Sequence, residues 1–342
     1  MTESLDQPTL QVTGLQTYFD TRAGMLKAVD QVSFELGRGE ILGLVGESGS
    51  GKSVTGFSVM GLIDEPGRIV GGSVLFEGRQ LVGLPESELR SLRGNKIAMI
   101  FQDPMMTLNP VLRIDTQMIE AVLAHQKVSK TAARDKALNA LTQVGIPSPA
   151  MRLKHYPHQL SGGMRQRVAI AIGLLNDPDL IIADEPTTAL DVTIQAQILF
   201  EVQQLCERTG TAMIWITHDL AVIAGLADRI AVMYAGKVVE TGTTDQVIDS
   251  PLHPYTVGLL GSVPSANPRG ERLQQIPGMT PSLIDLPVGC PFQSRCSQAA
   301  AACTVMPEST EIAPGRTVRC HFPQSGPDQS DELLFEIPGE GE

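Results

Sequence analysis

The sequence predicts an α/β fold, a largely parallel sheet interleaved with helices, followed by a small cysteine-containing extension. Three observations predict it. Short, continuous apolar runs recur at residues 41–45, 180–183, 212–216 and 230–233, the kind that a strand buried on both faces requires. Helical patterning separates them, as the crossovers of a parallel sheet demand. Beyond about residue 251 prolines become frequent, periodicity fades, and four of the five cysteines gather.

Size and composition set the frame. A chain of 342 residues favours one large domain plus a smaller one. Apolar residues at 42% and charged residues at 19% describe a globular protein with a substantial core. The net charge of −12 argues against a nucleic-acid binder, and no such partner is expected. No uncharged apolar run approaches the ~18–20 residues of a membrane span. Residues 1–6 are acidic and polar, without the basic start and apolar stretch of a signal peptide. The expectation is a cytoplasmic protein that meets a membrane only through a partner or its own surface.

Along the chain, residues 10–12 and 32–36 alternate apolar with polar and predict strands. The apolar run 41–45 leads into a glycine-rich turn and a helix over 52–63. From about residue 87 to 175 the pattern is mostly helical. Within it, residues 130–144 place Ala133, Ala137, Ala140, Leu141 and Val144 on one stripe. A second buried strand covers 180–184, and further core strands 212–216 and 230–233. A boundary falls near Gly261. Residues 324–342 carry six acidic residues and no basic ones, which predicts a flexible tail.

The turn after the first buried strand reads Gly46-Glu47-Ser48-Gly49-Ser50-Gly51-Lys52-Ser53 and fits G-x-x-x-x-G-K-[ST], with strand before and helix after. Such a loop wraps phosphates with inward-pointing N–H groups, so Gly46, Ser48, Gly49, Ser50 and Gly51 are predicted ATP contacts. Lys52 is expected on the terminal phosphates and the Ser53 hydroxyl on Mg²⁺. The run Leu180-Ile181-Ile182-Ala183-Asp184-Glu185 ends in two carboxylates. Asp184 is expected to hold Mg²⁺. Glu185 is expected on the opposite side of the pleat, polarising an attacking water.

Between these sites lies Leu160-Ser161-Gly162-Gly163-Met164-Arg165-Gln166-Arg167, a second anion-binding helix start that one nucleotide site does not need. It resembles the LSGGQ signature of ATP-binding cassette (ABC) ATPases, with Met164 in place of the usual glutamine. Over roughly residues 8–260 other family motifs follow in order. Gln102 looks like the Q-loop glutamine, which in the family contacts Mg²⁺ and the attacking water. Asp191 looks like the D-loop aspartate, and His218 like the switch histidine on the γ-phosphate. Phe19 looks like the aromatic that stacks on adenine, with Tyr18 the alternative. The resemblance implies a RecA-like core with a β subdomain and a helical subdomain at about 103–170. It also implies head-to-tail pairing of two cassettes, so that Ser161, Gly162, Gly163 and Met164 act on the partner's ATP.

The segments His253-Pro254-Tyr255-Thr256, Gln102-Asp103-Pro104-Met105-Met106-Thr107-Leu108-Asn109-Pro110 and Tyr156-Pro157-His158-Gln159-Leu160 resemble the ATPases of oligopeptide and dipeptide importers. That resemblance implies an ABC domain over 1–261, an oligopeptide/dipeptide transporter C-terminal domain over 262–323, and the tail over 324–342. It implies a peripheral position at the cytoplasmic face of the cell membrane. The implied partners are a second, related but non-identical ATPase subunit, two transmembrane permease subunits and an extracytoplasmic substrate-binding protein. The implied function is ATP-driven import of di- or oligopeptides. Nickel, glutathione or an oligosaccharide as cargo, and a soluble ABC ATPase, are the alternatives.

The clustered cysteines run C-x5-C-x6-C-x16-C, without the tight pairs usual for zinc. On one regular helix Cys296 and Cys303 would sit about 10 Å apart, too far for one zinc ion. A [4Fe–4S] cluster on Cys290, Cys296, Cys303 and Cys320 fits better and occurs in some members of the resembling family. Zinc and unligated thiols remain the alternatives. Cys206, on a helical pattern, is expected to be packed.

Overall fold

The computed structural model describes residues 7–188, 190–262 and 275–324. Of the tail expected over 324–342, residues 325–342 lie outside them. In chain order the first strands are β1 (Leu10–Thr21), β2 (Gly24–Leu36) and β3 (Ile41–Val45), followed by helix α1 (Lys52–Met60), β4 (Gly67–Phe76) and β5 (Arg79–Gln80). The helical stretch then contains α2 (Glu86–Leu92), strand β6 (Ile97–Ile100), α3 (Ile114–Leu123), α4 (Lys130–Gln143), α5 (Pro149–Arg152) and α6 (Gly162–Leu174). The core resumes with β7 (Leu180–Asp184), α7 (Val192–Thr209), β8 (Ala212–Thr217), α8 (Leu220–Ala224), β9 (Arg229–Tyr234) and β10 (Lys237–Thr243). Helices α9 (Thr244–Asp249) and α10 (Pro254–Gly261) and the hairpin β11 (Thr310–Ala313) and β12 (Arg316–Val318) complete it.

Strands β2-β1-β4-β5 form an antiparallel sheet, and a second sheet has the order β11-β12-β10-β9-β3-β8-β7-β6. Its strands β9, β3, β8, β7 and β6 are mutually parallel, as predicted. Every residue of β3, β7 and β8 is buried. The pleat divides them between two apolar clusters. Leu42, Leu44, Ile182, Ile214 and Ile216 face the antiparallel sheet. Ile41, Val45, Ile181, Met213 and Trp215 face the helical region and the extension. Period-2 alternation of apolar residues therefore supplies both cores at once.

Three differences from the sequence reading have physical causes. Helix α1 ends at Met60 rather than residue 63, because Gly61 adopts a left-handed C-cap with φ 64°. Strand β6 interrupts the stretch read as mostly helical, because four apolar residues carry too little pattern to announce a strand. The expected boundary near Gly261 is crossed by backbone pairing: β12 joins β10 through Glu240↔Val318 and Thr241↔Thr317. Residues of the extension thus extend the core sheet.

Candidate functional site

The phosphate-loop motif sits where the parallel sheet delivers it. Strand β3 ends at Val45, the loop turns, and α1 begins at Lys52. The cap residue Gly51 has φ 101° and makes no side-chain cap bond, so the first amides of α1 are left to the loop's concavity. Only glycine fits there, because a Cβ at residue 51 would lie 2.2 Å from the Ala28 carbonyl oxygen.

An open cavity of about 430 Å³ lies against this loop, within the usual size range of ligand sites. Ser48, Gly49, Gly51, Lys52, Ser53, Gln102, Glu185, Thr188 and His218 line it. Gly46 and Ser50, also expected there, do not line it. The buried Lys52 ammonium donates to the carbonyl oxygens of Gly46 at 2.6 Å and Glu47 at 2.9 Å. Burial lowers its pKa, and the carboxylates of Glu185, Asp184 and Glu47 oppose that shift.

Two acids follow one another at the end of β7, and of the two Glu185 lines the cavity. Ser53 Oγ donates to Asp184 Oδ1 at 3.0 Å. Burial raises the Asp184 pKa, with the Ser53 hydrogen bond acting against it. A hydroxyl and a carboxylate oxygen, both hard donors and already together beside an ammonium, suit Mg²⁺ next to phosphate. Glu185, one residue past β7, takes a left-handed φ of 45° and lines the cavity. Its Oε1 lies 3.0 Å from His218 Nδ1. Its Oε2 accepts from Gln102 Nε2 at 3.2 Å and from Thr188 Oγ1 at 3.1 Å. Thr188 escaped the sequence reading because a hydroxyl in a Pro-Thr-Thr turn carries no spacing signal.

Other expected residues lie elsewhere. Ser161 is the N-cap of α6, its Oγ accepting from the Met164 amide at 3.3 Å. Ser161 and Gly162 are exposed, and Gly163 packs close to Leu190. None of the four signature residues lines this chain's own cavity. Asp191 caps α7, accepting from the Ile194 amide at 3.0 Å. Phe19 also stands off the cavity and packs beside Gly67. The neighbouring Tyr18 hydroxyl donates to Asp30 at 2.8 Å, and burial pushes its pKa up to about 12.

Cys290, Cys296, Cys303 and Cys320 all line one small pocket, with His253, Phe292, His321 and Phe322. Burial pushes the Cys290 thiol up to about 11 and raises Cys296 and Cys320. Convergence is not coordination: among the described residues no three His, Cys, Asp or Glu side chains are grouped to hold a metal ion. The [4Fe–4S] expectation therefore finds its four residues gathered but no assembled ligand set. Cys206 is buried in α7 as expected.

Comparison with known proteins completes the description. The family described as "ABC transporter" matches residues 29–188, and "Oligopeptide/dipeptide transporter, C-terminal region" matches residues 239–303. The chain is 49% identical over 314 residues to the oligopeptide transport ATP-binding protein OppD of Escherichia coli (strain K12), covering 92% of this chain and 93% of that one. It is 50% identical over 313 residues to the dipeptide transport ATP-binding protein DppD of Bacillus subtilis (strain 168), covering 91% and 93%. Among solved structures it is similar to the dimeric, post-hydrolysis ATP-binding cassette MJ0796 bound to ADP and Pi. That match has a TM-score of 0.64 at 28% identity and covers 69% of this chain and 98% of that one.

Proposed function

The chain belongs to the ABC transporter ATP-binding family, in the group with the oligopeptide/dipeptide transporter C-terminal region, and on that premise we propose that it powers import of di- or oligopeptides by hydrolysing ATP. The observation that carries the reading is the Glu185 carboxylate held between His218 and Gln102 on the cavity that contains Lys52 and Ser53.

The residues divide the work. Loop amides and Lys52 hold the β- and γ-phosphates, since catalysis of phosphoryl transfer is mainly positioning and charge stabilisation. Ser53, Asp184 and Gln102 would hold Mg²⁺, which would supply neutralisation of phosphate charge. Glu185 takes the proton of the attacking water, and His218 orients Glu185 and contacts the γ-phosphate side. Phe19 is the proposed adenine contact. Ser161, Gly162, Gly163 and Met164 serve a partner's nucleotide, and Asp191 lies at the same junction. Support for this pairing is the exposed signature at the start of α6, remote from the chain's own cavity.

ATP and Mg²⁺ are the cofactors of such an ATPase, and dimerisation and permease partners follow from membership of the family. Among the described residues no helix is long and apolar enough to cross a membrane. We place the chain at the cytoplasmic face of the membrane, against two permeases, paired with a related second ATPase and fed by an extracytoplasmic binding protein. The [4Fe–4S] proposal rests on the four cysteines sharing one pocket. An anaerobically purified protein without visible iron–sulfur absorbance would remove it.

The test is ATP hydrolysis by the assembled transporter in lipid nanodiscs with its binding protein. Dipeptides or oligopeptides should stimulate it. Stimulation by nickel, glutathione or an oligosaccharide but by no peptide would contradict the peptide reading.

A further inference from the structure

The second residue of the phosphate loop, Glu47, is gripped by the C-terminal extension. Arg295 donates to both carboxylate oxygens, from Nη1 to Oε2 at 2.6 Å and from Nη2 to Oε1 at 2.9 Å. Thr280 Oγ1 adds a third bond to Oε2 at 2.8 Å. The Glu47 amide donates to the Tyr255 hydroxyl at 2.8 Å. So both the side chain and the backbone of this loop residue end on groups more than two hundred positions away in sequence.

Arg295 is itself held rigidly. Its side chain is 4% exposed. Nε donates to the Pro277 carbonyl at 2.9 Å, and the guanidinium lies 5.8 Å from the Tyr234 ring centre and 6.0 Å from that of Phe292. Tyr234, Tyr255 and Phe292 pack on one another with centroids 4.6 to 5.5 Å apart. A planar fork over aromatic faces is the geometry that lysine cannot reproduce. Arg295 does not line the phosphate cavity.

The electrostatic logic is specific to this loop. A carboxylate at residue 47 puts negative charge on the loop beside the cavity that a polyphosphate would enter. The guanidinium cancels that charge from outside the cavity, and its hydrogen bonds hold the Glu47 carboxyl below the usual carboxylate range. The same residue's carbonyl oxygen accepts from Lys52 Nζ at 2.9 Å. The path from the extension to the phosphate-binding ammonium is therefore Arg295 to Glu47 to Lys52.

We propose that Arg295 is a positioning residue of the ATP site: the extension sets the shape and charge of the phosphate loop through Glu47. The proposal rests on the ATP site described above.

The test is titration of the assembled complex with a fluorescent ATP analogue, alongside thermal unfolding. Wild type and Lys52→Ala check the site itself: loss of binding in Lys52→Ala is required of the site whatever Arg295 does. Arg295→Ala should weaken ATP binding about tenfold to a hundredfold, the range set by a lost charge-assisted hydrogen bond. Arg295→Lys, which keeps the charge but not the fork, should fall between. Glu47→Gln combined with Arg295→Ala should recover much of the loss, because the uncancelled carboxylate is gone; a merely structural arginine would not show that rescue. Wild-type ATP affinity in a folded Arg295→Ala, or a double variant no better than the single, would overturn the proposal. If Arg295→Ala does not fold, wild-type affinity in Arg295→Lys overturns it equally.

Discussion

His218 Nδ1 lies 3.0 Å from Glu185 Oε1, while Gln102 donates to the other oxygen of the same carboxylate at 3.2 Å. Two residues from separate turns thus orient the Glu185 carboxylate on the wall of the cavity beside Lys52. Removing the histidine leaves the carboxylate held only through its other oxygen, by Gln102 and Thr188. His218→Ala should lower the ATP turnover of the assembled transporter by on the order of 10² while changing ATP affinity only slightly. Steady-state kinetics with a parallel nucleotide titration checks this.

The loop glycines should respond unequally. At Gly51 a Cβ would meet the Ala28 carbonyl at 2.2 Å, whereas at Gly49 nothing lies within 4 Å. Both have positive φ, so both substitutions carry backbone strain of about 1–2 kcal/mol. Gly51→Ala adds a backbone clash and should destabilise by about 3 kcal/mol or more and lose ATP binding. Gly49→Ala should stay near the strain value alone. Chemical denaturation of the two variants checks the ordering.

On the proposed pairing, a signature variant separates nucleotide binding in one subunit from hydrolysis in the other. Ser161→Arg puts bulk and charge at the exposed start of α6, away from this chain's own cavity. This chain should bind ATP as before. ATP held by the partner's loop should no longer be hydrolysed, which halves the phosphate released per complex in a single turnover.

His253 predicts an acid-sensitive joint between core and extension. It is 2% exposed, and its Nδ1 accepts from the Tyr255 amide at 3.0 Å, so it is held neutral. Burial lowers its pKa from 6.5 to about 4. The unfolded chain takes up the proton first, so stability is lost as pH falls through the window from about 6.5 to about 4. The loss by pH 4 is roughly 3 kcal/mol. Melting midpoints should fall across that window, and His253→Asn, which keeps an acceptor without the titration, should flatten this part of the decline.

Local features were legible in the sequence, and distant ones were not. The strand β3, the loop and α1 form one contiguous motif, and β7 with Asp184 is another, so spacing alone located them. The left-handed φ of Glu185 was not legible, because a pleat argument assumes that regular strand geometry continues past Asp184. Strand β6 was hidden in a helical stretch because four apolar residues carry too little pattern. The pairing of β12 with β10 and the grip of Arg295 on Glu47 were invisible for a deeper reason. Residue 47 occupies an unrestricted position of the motif, and its partner lies 248 positions away. Only the folded sheet brings them together.

The central claim is that Glu185 performs hydrolysis at the loop containing Lys52. Single-turnover hydrolysis of ATP by the assembled transporter, with Glu185→Gln in this chain alone, tests it most directly. The account predicts that the variant binds ATP with wild-type affinity while the ATP on its loop stays intact, its hydrolysis slowed by on the order of 10²–10⁴. Cleavage of both bound ATP molecules at the wild-type rate would contradict it.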